Sequence, residues 1–375
     1  MEGIGPIITY YPKYAYLDNI LQRSGKNKIN LYIDLKNCAQ SLYRQDVAES
    51  IVRESLRCRH IDLSLFFSFI EFISFHKIFA NKRNIDLKMY FFFESGDSAY
   101  HTAIHKDYKK DRNLADFFGF DEAKADIFYK AMDKNLDIIY KAGNQLPDVS
   151  VVNLHFFEAD FMPYYLIYKL LPDVDDKAHI VYSNDRDMYQ CLLRDNIFVF
   201  ARSYLKSKIL TKNDVVKEFL KEECNLDPSY IPLLHAIIGD TGDGVPGVYS
   251  IAQKRLVSVQ DEIPKLFGTM QQVYDSIAAK QTIFNKDYRT NNKVLSTLMA
   301  NEEVIVRNLK LVSYYLISKF FDDDYHTAII DKRKKLTNDI IEGRKKITNV
   351  EVFVRAFENA GIGLPLTEST LTSLF

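Results

Sequence analysis

Apolar positions along this chain change period several times, and the changes mark its elements. Four short stretches are rich in β-branched and aromatic residues: INLYID (29–34), IDLKMYFFFE (85–94), VSVVNLHFF (149–157) and AHIVYS (178–183). Polar or turn residues bound each one, which predicts four strands. LSLFFSFIEFISFHKIFANK and PYYLIYKLL lie between them and predict helices. Strands alternating with helices imply an α/β fold, a mostly parallel sheet with helices on both faces. The stretch 98–147 is a long, charged, mostly helical excursion between two strands. After about residue 205 the pattern turns helical. LTKNDVVKEFLKEECN predicts a helix capped by Thr211 or Asn213, and DPSYIPLLHAIIGD one with Asp227 as N-cap and Pro228 at its first position. The turn GDTGDGVPG follows, then a basic helix start, SIAQKRL. From about 300 onward the chain is helical and of mixed charge, with basic clusters DKRKK and GRKK but no evident chemistry. The expected organisation is a leader (1–28), an α/β domain (29–205), a helical region (206–300) and a helical C-terminal extension (301–375).

Composition narrows the class only a little. The 375 residues are 47% hydrophobic and 26% charged, enough to bury a sizeable core. A formal net charge of −1 neither marks nor excludes a nucleic-acid binder, because a basic surface can be cancelled by an acidic cluster. Cys38, Cys58, Cys191 and Cys224 are scattered without a Cys-x-x-Cys pair, which argues against zinc and redox motifs and fits a reducing cytoplasm. The first twenty residues lack the basic start and apolar run of a signal peptide. LSLFFSFIEFISF is short and carries Glu71, so it is expected in a core and no membrane partner is expected.

The chemistry lies at the strand ends. Asp34 closes the first strand, Asp97 follows the second, Glu158 and Asp160 follow the third, and Asp185 and Asp187 follow the fourth. One aspartate there is ordinarily the N-cap of the next helix. Four parallel strands delivering acid to the edge where such sheets bind ligands is a different matter. Asp240 and Asp243 in the glycine-rich turn bring the set to eight, and no histidine or cysteine joins it at a sensible spacing. Carboxylates this close repel unless cations lie between them. An all-oxygen set suits Mg²⁺ or Mn²⁺, and eight acids exceed one ion's needs. Two ions about 4 Å apart would clamp both oxygens of a phosphodiester undergoing displacement. KDYKKDR (106–112) supplies Lys109 and Arg112 to stabilise phosphoryl charge, flanked by Lys106 and Lys110, with Tyr108 as an aromatic surface for an unpaired base. GDGVPGVYSIAQKRL combines glycines, among them Gly247, with Lys254 and Arg255, a pattern that suits phosphate binding.

The ordered set Asp34, ESGD…KDYKKDR, FEAD, SNDRDMYQ and GDTGDGVPGV resembles the flap-endonuclease or 5′-nuclease family, its phage 5′-exonucleases and phage-type ribonuclease H in particular, over about residues 29 to 256. The resemblance implies a PIN-like nuclease domain with a helical arch within about 98–147, followed by a helix-three-turn-helix DNA-binding module. It implies cleavage near the 5′ end of DNA, or of RNA in an RNA·DNA hybrid, with two divalent ions. Carried over by position, Asp34, Asp97, Glu158, Asp160 and Asp185 match the tighter metal region and Asp187, Asp240 and Asp243 the second. Lys109 and Arg112 match arch residues that engage the scissile phosphate, and Tyr108 a neighbouring aromatic. A monovalent cation in the helix-three-turn-helix turn is implied as well. Three positions depart from the pattern: Phe161 stands where many members carry a further Asp, and Ser250 and Ala252 replace glycines of the turn.

The expectation is a 5′-3′ exonuclease or flap endonuclease acting on branched DNA or hybrid, in primer removal during phage or viral replication, in the host cytoplasm. Replication proteins are conceivable partners without support in the sequence. Two other readings compete: a silent relative that binds nucleic-acid junctions as a scaffold, and a single-strand RNA nuclease of the broader PIN type.

Overall fold

The computed structural model describes residues 15–36, 52–53, 63–95, 98–110, 119–155, 157–171, 174–202, 207–322, 350, 354–355 and 368–375. Helix α1 (Ala15–Ser24) precedes strand β1 (Lys28–Asp34). Then come α2 (Ser64–Arg83), β2 (Asp86–Ser95), α3 (Ala99–Ile104), α4 (Glu122–Gly143) and β3 (Val149–His155). Strands β4 (Ala178–Tyr182), β5 (Ile197–Arg202) and β6 (Ser207–Leu210) complete a six-stranded sheet in the order β3-β2-β1-β4-β5-β6. The four strands expected from the sequence all form. β5 joins them in parallel, and β6 pairs with β5 antiparallel, so the sheet runs past the boundary expected at 205.

Alternation along the strands divides the core into two layers. Tyr32, Tyr90, Phe92, Val152, Leu154, Val181 and Val199 face one layer. Ile29, Leu31, Ile33, Met89, Phe91, Phe93, Val151, Ile180 and Phe198 face the other, with α1, α2 and α4. Burial on both faces is why these strands read as nearly continuous apolar runs. The chain builds outward from β1 through β2 to β3, then returns to the other side of β1 with β4. That reversal opens a crevice between the carboxyl ends of β1 and β4.

The first layer continues into short helices. Asp227 caps the turn Pro228–Tyr230 by accepting from the Ser229 N–H, and α5 (Ile231–Ile238) follows, as expected. The expected caps of the preceding helix are corrected: it spans only Val215–Leu220, with Asp214 at its N-cap position and the Thr211 hydroxyl donating to the Asp214 carboxylate. Residues expected as a C-terminal extension are part of the core. Helix α6 (Glu302–Val312) packs against α5, and α7 (Tyr314–Asp322) against Met162–Tyr165. Gln190 joins them to the sheet, donating to the Val312 carbonyl at 2.7 Å and accepting from the Tyr314 N–H at 3.0 Å. Leu374, fully buried, packs in the opposite layer, where Lys77 Nζ donates to its carbonyl at 2.5 Å.

The excursion between β2 and β3 is more closely packed than expected. Most of α4 lies on α2 and β3, and a Cβ at Gly143 would sit 2.5 Å from Val151 Cγ2. Of the stretch 98–147, where a helical arch is expected, residues 111–118 lie outside the described residues. Among the described residues, no helix is long and apolar enough to cross a membrane.

Candidate metal centre

Past β3, Glu158 holds the N-cap position of the turn Ala159–Phe161, which carries Asp160. Past β4, the Asp185 carboxylate accepts from the Asp187 N–H at 3.0 Å and caps the turn Arg186–Cys191. Past α5, Asp240 Oδ1 accepts from the N–H groups of Gly242 (2.8 Å) and Asp243 (3.3 Å). Such bonds hold Asp185 and Asp240 in fixed directions, whereas Glu158 makes no capping hydrogen bond. Glu158, Asp160, Asp187, Asp240 and Asp243 line one cavity with His101, Tyr108, His235, Leu311, Val312 and Tyr314. Asp34 closes β1, and Asp185 sits past β4 beside Asp187; neither lines that cavity. Asp97 and Arg112 lie outside the described residues.

Glu94, at the carboxyl end of β2, was not among the expected site residues. Its Oε1 pairs with Lys36 Nζ at 3.1 Å, and its Oε2 accepts from the Ala159 N–H at 3.2 Å. Glu94 was the last residue of the expected strand, so the signal was present and was read as strand.

Lys109 is gathered in among the acids. Its ammonium bridges Glu158 and Asp243, the latter at 3.5 Å, and its N–H donates to the Asp243 carbonyl at 3.0 Å. Burial alone would lower the Lys109 pKa, but Glu158, Asp243 and Asp160 hold it raised. Burial pushes Glu158 up, yet Lys109 beside it carries the carboxyl below its usual range. Asp160 is not drawn down in this way: burial and then Glu158 push it well up, against the pull of Lys109. Asp185 is pushed up to about 7 by burial and by Asp187.

Tyr108 departs from expectation. It is not an open stacking surface but is buried, its ring 4.6 Å from His101 in a stacked arrangement. Its hydroxyl donates to Glu158 (3.0 Å) and Asp243 (3.3 Å). His101 bonds in turn to the Leu311 carbonyl at 3.1 Å. Lys106 and Lys110 are exposed and outside the cavity, Lys110 pairing with Asp107 at 3.1 Å.

Gly247 serves packing within the turn. A Cβ there would lie 2.0 Å from the Ile238 carbonyl oxygen, so only glycine lets the turn close on the end of α5. Ser250 takes φ +66°, a left-handed conformation that a residue with a Cβ disfavours. Lys254 and Arg255 are exposed on the short helix Gln253–Val257, beside Tyr249, which is 90% exposed. Phe161, the third departure, is a packing residue: its ring lies 5.4 Å from Phe321 and 5.8 Å from Phe157.

Several residues of the cavity were not expected, His235 and Tyr314 among them. His235, on α5, corrects the expectation that no histidine joins the acids. Its Nδ1 lies 2.9 Å from Asp187 Oδ1 and its Nε2 3.5 Å from Asp240 Oδ2. The closer pair is out of line for a hydrogen bond, leaving both atoms buried without a hydrogen-bond partner. Burial would lower the His235 pKa, but Asp187 and Asp240 raise it to about 10. The bond from His235 holds Asp240 down at about 2 against its own burial. Tyr314, from α7, brings a third buried polar atom without a hydrogen-bond partner to the cavity, its hydroxyl. Helical spacing hid His235, and Tyr314 lay in a region without a motif. Donor atoms of Asp187, His235 and Asp240 lie within 4.8 Å of one another, and such a set fits a divalent ion.

No protein-family model matches the chain. It is 27% identical over 203 residues to a 5′-3′ exonuclease of Buchnera aphidicola subsp. Schizaphis graminum, covering 54% of this chain and 61% of that protein. A 5′-3′ exonuclease of Aquifex aeolicus is 28% identical over 170 residues, covering 45% of this chain and 49% of its own length. The chain thus spans less than two thirds of either relative. Among solved structures it is similar to the bacteriophage T5 D15 flap endonuclease in complex with DNA and metal ions, with TM-score 0.59 and 20% identity over 84% of this chain and 99% of that one. The same phage protein co-crystallised with metal ions gives a TM-score of 0.56 at 20% identity over 84% of this chain and 99% of that one. In sequence the chain is similar to bacterial 5′-3′ exonucleases, and its α/β fold is that of the bacteriophage T5 D15 flap endonuclease.

Proposed function

We propose that the chain is a divalent-metal-dependent 5′-nuclease that hydrolyses phosphodiesters near the 5′ ends of branched DNA or of RNA·DNA hybrids. The observation that carries this reading is the convergence of Glu158, Asp160, Asp187, Asp240 and Asp243 on one cavity beyond the carboxyl ends of the strands. The relatives named 5′-3′ exonuclease, and the neighbour crystallised with DNA and metal ions, support it. Two divalent ions held by these acids would ionise a water and neutralise charge on the scissile phosphate.

The chain's own residues do the rest. Lys109, held between Glu158 and Asp243, places a cation where it would offset charge on an incoming phosphate. Tyr108 orients both of those carboxylates through its hydroxyl. Leu311, Val312 and Ile317 line the cavity with apolar surface, which strengthens every electrostatic contact in it. The exposed Lys106, Lys110, Lys254 and Arg255 are suited to the sugar–phosphate backbone, and exposed Tyr249 to stacking on a base.

The scaffold reading has one observation in its favour: Lys36 and Lys109 already neutralise Glu94, Glu158 and Asp243. Incubation of 5′-labelled flap and RNA·DNA substrates with Mg²⁺ or Mn²⁺ separates the two. Cleavage leaving a 5′-phosphate, lost in Asp187→Asn, supports the nuclease. Binding without cleavage in either metal supports the scaffold.

A further inference from the structure

Each of three buried histidines has a backbone carbonyl within hydrogen-bonding reach. His76 lies 2.7 Å from the Phe72 oxygen, His101 3.1 Å from that of Leu311, and His179 3.0 Å from that of Val174. These are imidazoles at work in a core. His235 is 5% exposed, and each of its nitrogens lies within 3.5 Å of a carboxylate oxygen. Those carboxylates come from different places: Asp187 from the turn beyond β4, and Asp240 from the loop beyond α5. Phe219 packs edge-on against the ring, centroids 5.5 Å apart at 67°, and fixes its orientation. His235 Nδ1 and Asp187 Oδ1 are both buried and lie 2.9 Å apart, an ion pair out of line for a hydrogen bond. Such a buried pair leaves hydrogen-bonding capacity that a third group between the atoms would engage.

We propose that His235 is a metal ligand, giving up one ring proton to solvent as the ion takes its place, and that with Asp187 and Asp240 it forms a mixed nitrogen–oxygen site that prefers Mn²⁺, Co²⁺ or Zn²⁺ to Mg²⁺. This deepens the nuclease reading, whose acids it shares. Carboxylates alone serve Mg²⁺ well, whereas imidazole favours the later, softer dications. Three protein donors also leave coordination positions open, as reacting metal sites require. The ring contributes a ligand that the acid series does not contain, and it shifts the metal preference of the whole site.

The test uses the full chain stripped with chelator and then loaded with Mn²⁺ alone. Pulsed electron paramagnetic resonance should show nitrogen coupling to bound Mn²⁺ in the wild type, and none in His235→Gln or His235→Leu. Calorimetric titration should show Mn²⁺ and Co²⁺ binding weakened by roughly tenfold or more in both variants, with Mg²⁺ changed by less than about threefold. Circular dichroism checks that each variant folds, and the wild-type spectrum decides the matter if one does not. Absence of nitrogen coupling in the wild type overturns the proposal. So does a folded His235→Leu that binds Mn²⁺ as tightly or more tightly, because the imidazole would then be only a counter-ion between the two acids. Flap cleavage by a wild type without nitrogen coupling rejects this inference and leaves the nuclease standing. Nitrogen coupling without cleavage does the reverse.

Discussion

Replacing Phe161 by alanine tests whether the missing family carboxylate has become part of the core. The side chain is 1% exposed, and its ring lies 5.4 Å from Phe321, 5.8 Å from Phe157 and 6.0 Å from Tyr165. These partners belong to the exit of β3, the Met162–Tyr165 helix and α7, three segments that cannot all close on one void. A buried Phe→Ala change costs about 3–5 kcal/mol, and poor collapse puts this one near the upper half, about 4 kcal/mol. Urea denaturation followed by circular dichroism measures it. Phe161→Asp should cost at least as much, because its carboxylate enters an aromatic cluster, and it should add no divalent ion in calorimetric titration. A loss below about 1 kcal/mol for the alanine variant would refute the packing argument. A stable aspartate variant with extra metal uptake would refute it as well.

Three further outcomes follow from the same contacts. Gly247→Ala forces a Cβ against the Ile238 backbone, so it should cost about 2 kcal/mol or more and weaken Mn²⁺ binding by displacing Asp240; an unchanged melting temperature contradicts this. His76 and His179 are both held neutral by burial, their pKa values lowered to about 4, so the unfolded chain takes up protons first as pH falls. The stability they contribute is complete above about pH 6.5 and is lost toward pH 4, about 3 kcal/mol for each; urea midpoints flat between pH 7 and 4.5 would contradict it. Lys36→Met releases one oxygen of Glu94, so calorimetry should show tighter or additional divalent binding, and an unchanged isotherm would mean that Glu94 takes no part.

Strands whose side chains meet core on both faces announce themselves, which is why INLYID and AHIVYS were legible as β1 and β4. β6 is four residues of an edge pair, and only its contact with β5 makes it a strand. The acids at the ends of β3, β4 and α5 were legible because caps and ligands draw on the same residue types at the same places. Glu94 and Asp97 could not be ranked, because three residues along a strand exit alter direction more than chemistry. His235 was hidden by its setting in IPLLHAII, where a lone polar residue in an apolar helix reads as a tolerated core histidine. Its role depends on Asp187, 48 positions earlier, a distance that no local pattern spans. Tyr108 was misjudged for a related reason: an aromatic between lysines reads as surface until His101 and Glu158 are seen to enclose it.

Cleavage of a single 5′-flap substrate, mapped at nucleotide resolution while Mn²⁺ is titrated into chelator-treated protein, tests the central claim most directly. No cutting is expected without metal; with Mn²⁺, saturable cutting near the base of the flap is expected, and its loss in Asp240→Asn with the fold retained. Cutting that persists in excess chelator, or an Asp240→Asn protein as active as the wild type, would contradict it.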